Sequence, residues 1–335
     1  MVKARKYVVK KVFQGVPKRN DFEVVEYQTP ELKDNEILVK AEYISVDPYL
    51  RAYNARQPVP YDQFSYQVGT VEESKSAEYP VGCRVVTHKG WCDYSIVNTV
   101  PTVDFSSRIY KLPDLKGLSP SHGVGAIGMP GVTAYFGFLE ICKPKAGETV
   151  VVTGAAGAVG SLVGQIAKIK GCRVIGFAGS DDKVKWLENE LGFDKAFNYK
   201  TVNIENALKE GAPNGIDCYF DNVGGEISSS ILYQMNVNGR VSVCGSISAY
   251  NESPAQMPKA TIIQPALVPK SLKVEGFLVS QWSDRWMEAL VALIGWIKSG
   301  ELKAREHVTE GFDKLCDAFV GMLAGENSGK AVVKV

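Results

Sequence analysis

Up to about residue 125 the apolar positions come in short runs broken by turn residues, a rhythm that predicts strands. Glu36-Ile-Leu-Val-Lys-Ala, Gln67-Val-Gly-Thr-Val and Arg84-Val-Val-Thr are such runs. Pro80, Gly82, Gly90 and Pro101 punctuate them at the spacing of a β-rich, barrel-like domain. A first strand is expected over 7–12, with a solvated basic edge. From Thr149 the period changes to strand, helix, strand, helix, which predicts a parallel sheet covered by helices on both faces. Thr149-Val-Val-Val-Thr is apolar throughout, as a strand buried on both faces must be. The stretch 158–170 then sets Val159, Leu162, Val163, Ile166 and Ile169 at helical spacing, with Gly171 as its stop. Arg173-Val-Ile-Gly-Phe is the next strand, and Ser180 is placed to cap a helix over 181–191 that Gly192 closes. Further strands are expected over 218–221, 241–244, 274–279 and 331–335, with helices over 284–299 and 312–323.

Length and charge narrow what these elements build. A chain of 335 residues exceeds the size at which one core stops growing, about 250–300 residues, so two domains are expected. A formal net charge of +1 offers no electrostatic reason for a nucleic-acid or membrane-surface partner. No apolar run reaches the roughly 18–20 residues of a membrane-spanning helix. Cysteines 83, 92, 142, 172, 218, 244 and 316 are odd in number and never form Cys-x-x-Cys, a pattern that suits reduced thiols in the cytoplasm. The first twenty residues are basic and free of acids, which admits an organelle transit peptide, but they also lack the serines usual in one.

The chemistry begins at Gly154-Ala155-Ala156-Gly157-Ala158-Val159-Gly160, between an expected strand and an expected helix. Set against G-x-G-x-x-G, its three positions are Ala155, Gly157 and Gly160, so alanine replaces the first glycine. Gly157 would let the backbone approach a pyrophosphate, Gly160 would let helix and strand pack closely, and the helix start would hold the anion. A dinucleotide-binding unit follows. The residues leaving the second strand indicate which dinucleotide. An NAD site usually carries an acid there, whereas this chain has Ala178, followed by Ser180 and Lys183. A hydroxyl donor and a cation suit the 2′-phosphate of NADP(H). Asp181 and Asp182 oppose that choice unless they point away.

His88, His122 and His307 stand at no spacing typical of a zinc site, and Gly-x-Ser-x-Gly is absent, so neither a zinc mechanism nor a serine nucleophile is expected. Tyr250 ends the Gly- and Ser-rich stretch Cys244-Gly-Ser-Ile-Ser-Ala-Tyr-Asn251, directly after an expected strand. A phenol there could donate to a carbonyl oxygen, though spacing alone equally allows a packed loop aromatic.

Together these residues resemble the zinc-independent medium-chain dehydrogenase/reductases, and within them the prostaglandin reductases, also called leukotriene B4 12-hydroxydehydrogenases. The resemblance runs over essentially the whole chain. It rests on Asp47-Pro-Tyr-Leu-Arg51, Gly128-Met-Pro-Gly-Val-Thr-Ala-Tyr-Phe-Gly137, Ala155-Ala-Gly-Ala-Val-Gly160, Phe197-Asn-Tyr-Lys200, Asp221-Asn-Val-Gly-Gly225, the 244–251 stretch and Asn327-Ser-Gly-Lys330. It implies an α/β protein: a GroES-like, β-rich catalytic domain over 1–128 and 305–335, and a Rossmann domain with a doubly wound parallel sheet over 129–304. It implies a cytoplasmic homodimer that reduces the carbon–carbon double bond of α,β-unsaturated ketones and aldehydes with NADPH.

Position by position, the resemblance puts Ala155, Ala156, Gly157, Ala158 and Val159 on the pyrophosphate, and Lys183 and Tyr199, beside Ser180, at the 2′-phosphate. Asn222, Cys244, Gly245, Ser246, Ile247, Ser248, Phe277, Leu278, Val279 and Asn327 would line the rest of the cofactor. Tyr250 would polarise the enone, and Tyr49 and Arg51 would meet the substrate. Where zinc-dependent relatives carry ligands this chain has Asp47 and Gln67-Val-Gly69. The stretch 56–66, with Pro58, Pro60, Tyr61, Phe64 and Tyr66, departs from the family pattern and is expected near the pocket mouth. Two rival expectations are NADP-dependent oxidation of a lipid alcohol and a non-catalytic, crystallin-like or RNA-binding role; the absence of a basic stripe with interleaved aromatics opposes RNA.

Overall fold

The computed structural model describes residues 1–102, 107–115, 117–252, 256–257 and 259–335. They form two compact units: Met1–Gly128 with Glu306–Val335, and Met129–Arg305.

The first unit opens with β1 (Lys3–Val9), paired antiparallel with β2 (Phe22–Gln28) from Lys3 opposite Gln28 to Val9 opposite Phe22. The strand thus starts four residues before the expected 7–12. Pairing decides this: the basic residues gain acids across the ladder, Lys3 to Glu26 at 2.8 Å and Lys10 to Glu23 at 4.0 Å, while Ala4, Tyr7 and Val9 turn into the core. Then come β3 (Glu36–Ser45), α1 (Tyr49–Asn54), β4 (Tyr61–Asp62), β5 (Gln67–Ser74), β6 (Arg84–Thr87), β7 (Tyr94–Asn98) and β8 (Tyr110–Lys111). The strands predicted at Glu36, Gln67 and Arg84 are β3, β5 and β6.

The second unit begins with α2 (Met129–Leu139) and then alternates strictly: β9 (Thr149–Thr153), α3 (Gly160–Ile169), β10 (Arg173–Ala178), α4 (Asp181–Asn189), β11 (Lys195–Asn198), α5 (Ile204–Gly211), β12 (Ile216–Asp221), α6 (Gly225–Tyr233) and β13 (Met235–Val243). After these come α7 (Gln264–Lys270), β14 (Lys273–Gly276) and α8 (Trp286–Ser299). The six strands run parallel in the order β11-β10-β9-β12-β13-β14. This is the doubly wound sheet expected from the sequence. Every residue of β9 is buried, as its unbroken apolar pattern requires. Some boundaries differ from expectation: α3 starts at Gly160 rather than 158, α4 ends at Asn189, β14 ends before Phe277, and α8 starts at Trp286 after a 3₁₀ turn. Helix and strand ends depend on capping and pairing, which periodicity does not encode.

The chain returns to the first unit as β15 (Glu306–Glu310), α9 (Leu315–Leu323) and β16 (Lys330–Lys334). Strand β16 lies between β15 and β3, so the C-terminal segment is built into the seven-stranded sheet β15-β16-β3-β5-β6-β8, with β7 on β3. Its core joins distant aromatics: Trp91 stacks on Phe22 at 5.6 Å and meets Phe319 edge-on at 5.8 Å. Among the described residues no helix is long and apolar enough to cross a membrane.

Candidate cofactor and catalytic site

The residues singled out in the second unit gather along one edge of its sheet. The loops after β9, β10, β11, β12 and β13 all leave the C-terminal ends of parallel strands. Strand β9 is flanked by β10 on one side and β12 on the other, so the sheet changes direction at its own loop, the place where open α/β sheets leave a crevice.

That loop is a tight cradle. Gly154 has φ +59°, a conformation costly for any residue with a Cβ. The turn expected of the first motif glycine is thus made one residue earlier, and Ala155 instead donates its N–H to the Phe177 carbonyl at 3.0 Å, extending the sheet. At Gly160 a Cβ would collide with the Gly154 carbonyl and stand 2.9 Å from Ala155 Cα, so helix and strand touch only because the residue is glycine. Among the described residues a Cβ at Gly157 would meet only the Gly154 oxygen, at 3.2 Å. Ala155 and Ala156 are buried while Gly157, Ala158 and Val159 are half-buried. The N-terminal amides of α3 thus start at a partly exposed glycine turn, an arrangement that can hold an anion.

Beyond β10 the backbone turns through Gly179 and Ser180. Ser180 caps α4 as expected, accepting from the Lys183 N–H at 3.4 Å, which leaves its hydroxyl proton to donate elsewhere. Burial pushes the Lys183 ammonium below its ordinary range, and the like charge of Lys200 adds to that shift. Tyr199 is tied to the strand end, donating its N–H to the Ala178 carbonyl at 3.1 Å, and its ring is half-exposed. The two acids that opposed an NADP(H) assignment are accounted for. Asp181 accepts from Asn198 Nδ2 at 2.8 Å, and the Asp182 side chain is 97% exposed, 3.9 Å from Lys185. Lys200, the last residue of the Phe197–Lys200 motif, is a further cation at this turn that the motif alone does not mark as functional.

At the end of β12, buried Asp221 organises two loops. Its carboxylate accepts from the N–H groups of Val223 and Gly224, both at 2.9 Å, and from the hydroxyls of Ser228 at 2.7 Å and Thr153 at 3.2 Å. Its carbonyl accepts from the N–H groups of Cys244 and Gly245. Asn222 is locked by donating Nδ2–H to the Thr153 carbonyl at 2.7 Å, which sets it beside Gly154. Ile247 and Ser248 donate backbone N–H to the Asn222 and Val223 carbonyls. Residues 244–248 are thereby pinned along the same edge. Burial, with Asp221 nearby, pushes the Cys244 thiol up to about 12. Tyr250 folds back over this loop: its hydroxyl oxygen accepts from the Ser246 N–H at 3.2 Å and stands close above Gly245. Phe277 packs its ring against Phe220, Trp282 and the glycine face of α2 at Gly137, leaving exposed Leu278 and half-buried Val279 as its continuation.

The remaining candidates lie in the first unit. Asn327 Nδ2 donates to the Gly329 carbonyl at 2.7 Å in the turn before β16. Tyr49 stacks on Phe64 at 6.1 Å, and Phe64 on Tyr61 at 5.8 Å, so the divergent 56–66 stretch supplies two rings of this stack. The Tyr49 hydroxyl lies 3.4 Å from His88 Nε2. Arg51 turns inward: it is buried, donates Nε–H to the Gly15 carbonyl at 3.1 Å and covers the Phe13 ring. That engagement ties Arg51 to the 13–15 loop. Asp47 and Lys330, from two of the family motifs, form a buried pair at 3.2 Å, and the ammonium also donates to the carbonyls of Val46 and Ala331. His122, isolated in the sequence, approaches Glu306 at 3.1 Å, and Ser121 donates its hydroxyl to the same carboxylate. Among the described residues no group of three or more His, Cys, Asp or Glu is arranged to hold a metal ion.

Residues 5–103 match a family described as the N-terminal domain of oxidoreductases, and residues 158–295 one described as zinc-binding dehydrogenases. Over its whole length the chain is 47% identical to all of prostaglandin reductase 1 from Bos taurus. It is 39% identical, again over its whole length and 98% of the relative, to the NADP⁺-dependent 2-alkenal reductase of Nicotiana tabacum. The crystal structure of CurA from Vibrio vulnificus in complex with NADPH superposes with a TM-score of 0.89 at 34% identity, over 99% of each chain. The chain belongs to the medium-chain dehydrogenase/reductase family, in the branch of the prostaglandin reductases.

Proposed function

We propose that this protein reduces the carbon–carbon double bond of α,β-unsaturated ketones and aldehydes with NADPH. One observation carries the cofactor assignment: a glycine-cradled helix start lies one strand away from Ser180, Lys183 and Tyr199, with Ala178 where an NAD site keeps its acid. The reaction class is supported by full-length likeness to a 2-alkenal reductase and to prostaglandin reductase 1.

In this reading Ala155 to Val159 hold the pyrophosphate, and Ser180, Lys183 and Tyr199 hold the 2′-phosphate. Asn222, residues 244–248, Phe277 to Val279 and Asn327 line the remainder. The chemistry supplied by the cofactor when bound is hydride transfer to the β-carbon of the enone. Tyr250 donates the proton on its phenol oxygen toward the substrate carbonyl as negative charge builds there. The Ser246 N–H, donating to that oxygen, draws electron density from it and makes the proton easier to share. In this reading Tyr49 serves the substrate from the aromatic stack, and Arg51, bonded to the Gly15 carbonyl, supports the 13–15 loop rather than the substrate.

The test is to follow NADPH absorbance with a panel of an oxo-prostaglandin, a hydroxyalkenal, an alkenone and a quinone. Consumption with the enones or enals is expected. Quinone turnover alone, or strong NADP⁺-dependent oxidation of lipid alcohols with negligible enone reduction, overturns the assignment.

We also propose a homodimer. Strand β14 is the open edge of the parallel sheet, and Val274 on it, Val268, Ile262 and Leu278 are large apolar residues left exposed. Light scattering at micromolar concentration should give twice the 36.5 kDa chain mass; a monomer overturns the assembly. Seven free thiols support a reducing compartment, the cytoplasm.

A further inference from the structure

We infer that Lys200 is a second cation for the adenosine 2′-phosphate, so that preference for NADPH over NADH is set by a lysine pair, Lys183 and Lys200. The inference rests on the NADPH assignment above.

Strand β11 runs parallel to β10 with Asn198 opposite Ala178, so Tyr199 and Lys200 leave their strand beside the residues leaving β10. The contact is close. A Cβ on Gly179 would stand 3.3 Å from the Tyr199 ring and hydroxyl and 3.5 Å from Lys200 Cε. Lys200 Nζ lies 6.0 Å from the centre of the Tyr199 ring. Lys183, half-buried on the first turn of α4, senses the Lys200 charge. Lys200, the Tyr199 phenol and Ser180 thus lie around the turn at Gly179, with Lys183 on the first turn of the helix that follows.

One side chain sets this arrangement. Asn198 donates Nδ2–H to the Asp181 carboxylate at 2.8 Å, while its Oδ1 accepts the Lys200 backbone N–H at 3.2 Å. It engages the nearest acid and fixes the stem of the second lysine in one step. A phosphate monoester carries a charge of about −1.5 to −2 near neutral pH, more than one ammonium balances. Two like charges held together are relieved by that group and by nothing on a 2′-hydroxyl.

The test uses isothermal titration of adenosine 2′,5′-bisphosphate and of AMP into the full chain and its variants Lys200→Gln, Lys200→Arg and Lys183→Gln. Lys200→Gln should bind the bisphosphate about tenfold more weakly or worse, with AMP unchanged, and Lys200→Arg should recover most of the loss. Unchanged bisphosphate affinity in Lys200→Gln, with a loss in Lys183→Gln, removes Lys200 and leaves the NADPH assignment standing. Equal weakening of both probes by Lys200→Gln also overturns the inference, because the defect is then in the fold of the loop. A wild-type chain that binds both probes equally overturns the NADPH assignment itself.

Discussion

The phenol oxygen of Tyr250 accepts the backbone N–H of Ser246 at 3.2 Å, so this tyrosine is held by the loop that it ends. The bond uses the oxygen and not the hydroxyl proton. Replacing Tyr250 by Phe should therefore lower kcat roughly a hundredfold or more while leaving NADPH affinity nearly unchanged. Steady-state kinetics on a purified enone, with NADPH binding followed by fluorescence, check this. Full turnover in the variant removes Tyr250 from the proposed role.

Gly160 offers a sharper structural test than Gly157. A methyl group at 160 would push into the Gly154 carbonyl and Ala155 Cα, both backbone and unable to yield cheaply. Gly160→Ala is expected to cost about 1–3 kcal/mol in stability and to abolish tight NADPH binding. At 157 the one neighbour among the described residues is the Gly154 oxygen at 3.2 Å, so Gly157→Ala should weaken NADPH binding with little change in melting temperature. Thermal melts beside NADPH titrations separate the two; equal melting losses would contradict the geometry.

The lysine pair predicts a pH dependence with a definite sign. Burial, and then Lys200, hold the Lys183 ammonium below its ordinary value near 10.5 in the free protein. A bound 2′-phosphate favours the charged form. NADPH affinity should therefore be full at neutral pH and fall as pH rises through the lowered Lys183 range, beginning below 10.5. NADH affinity should stay flat across that window. In Lys200→Gln the fall should move to higher pH, because one cause of the shift is gone while burial remains. Fluorescence titrations of both cofactors from neutral to alkaline pH measure it.

A protein that accepts electrophilic enones must keep its own thiols from adding to them. Burial pushes Cys92 and Cys172 up to about 11 and Cys244 and Cys316 up to about 12, while Cys218 is raised by its neighbour Cys142 and then by burial. Since the thiolate is the nucleophile, little of it exists at neutral pH. Native protein should label slowly with a maleimide, with half-buried Cys83 leading, and all seven thiols should react in denaturant. Mass spectrometry after timed labelling checks the order. Rapid native modification of half-buried Cys244 would contradict its raised thiol pKa.

The cofactor-binding unit was largely legible in the chain because its signals are local. The apolar run of β9, the glycines behind it and the helical spacing of Val159, Leu162, Val163 and Ile166 each arise from neighbouring residues. Ser180 as a cap and Ala178 in place of an acid are equally short-range. Strand and helix ends were less legible. Strand β1 begins at Lys3 because its ladder with β2 runs on to Gln28, and no property of residues 3–6 alone implies that.

By itself the sequence determined the order of the elements, the doubly wound sheet, the glycine-rich turn after β9 and, through its motifs, the family. Only the tertiary structure decided which polar groups meet: Lys183 with Lys200, Asp181 with Asn198, Asp47 with Lys330, His122 with Glu306. It also turned Arg51 inward and laid Tyr250 on Ser246. The reason is physical. Periodicity and turn chemistry are set by a few consecutive residues, whereas burial and Coulomb forces act between groups whose closeness exists only once the chain has folded.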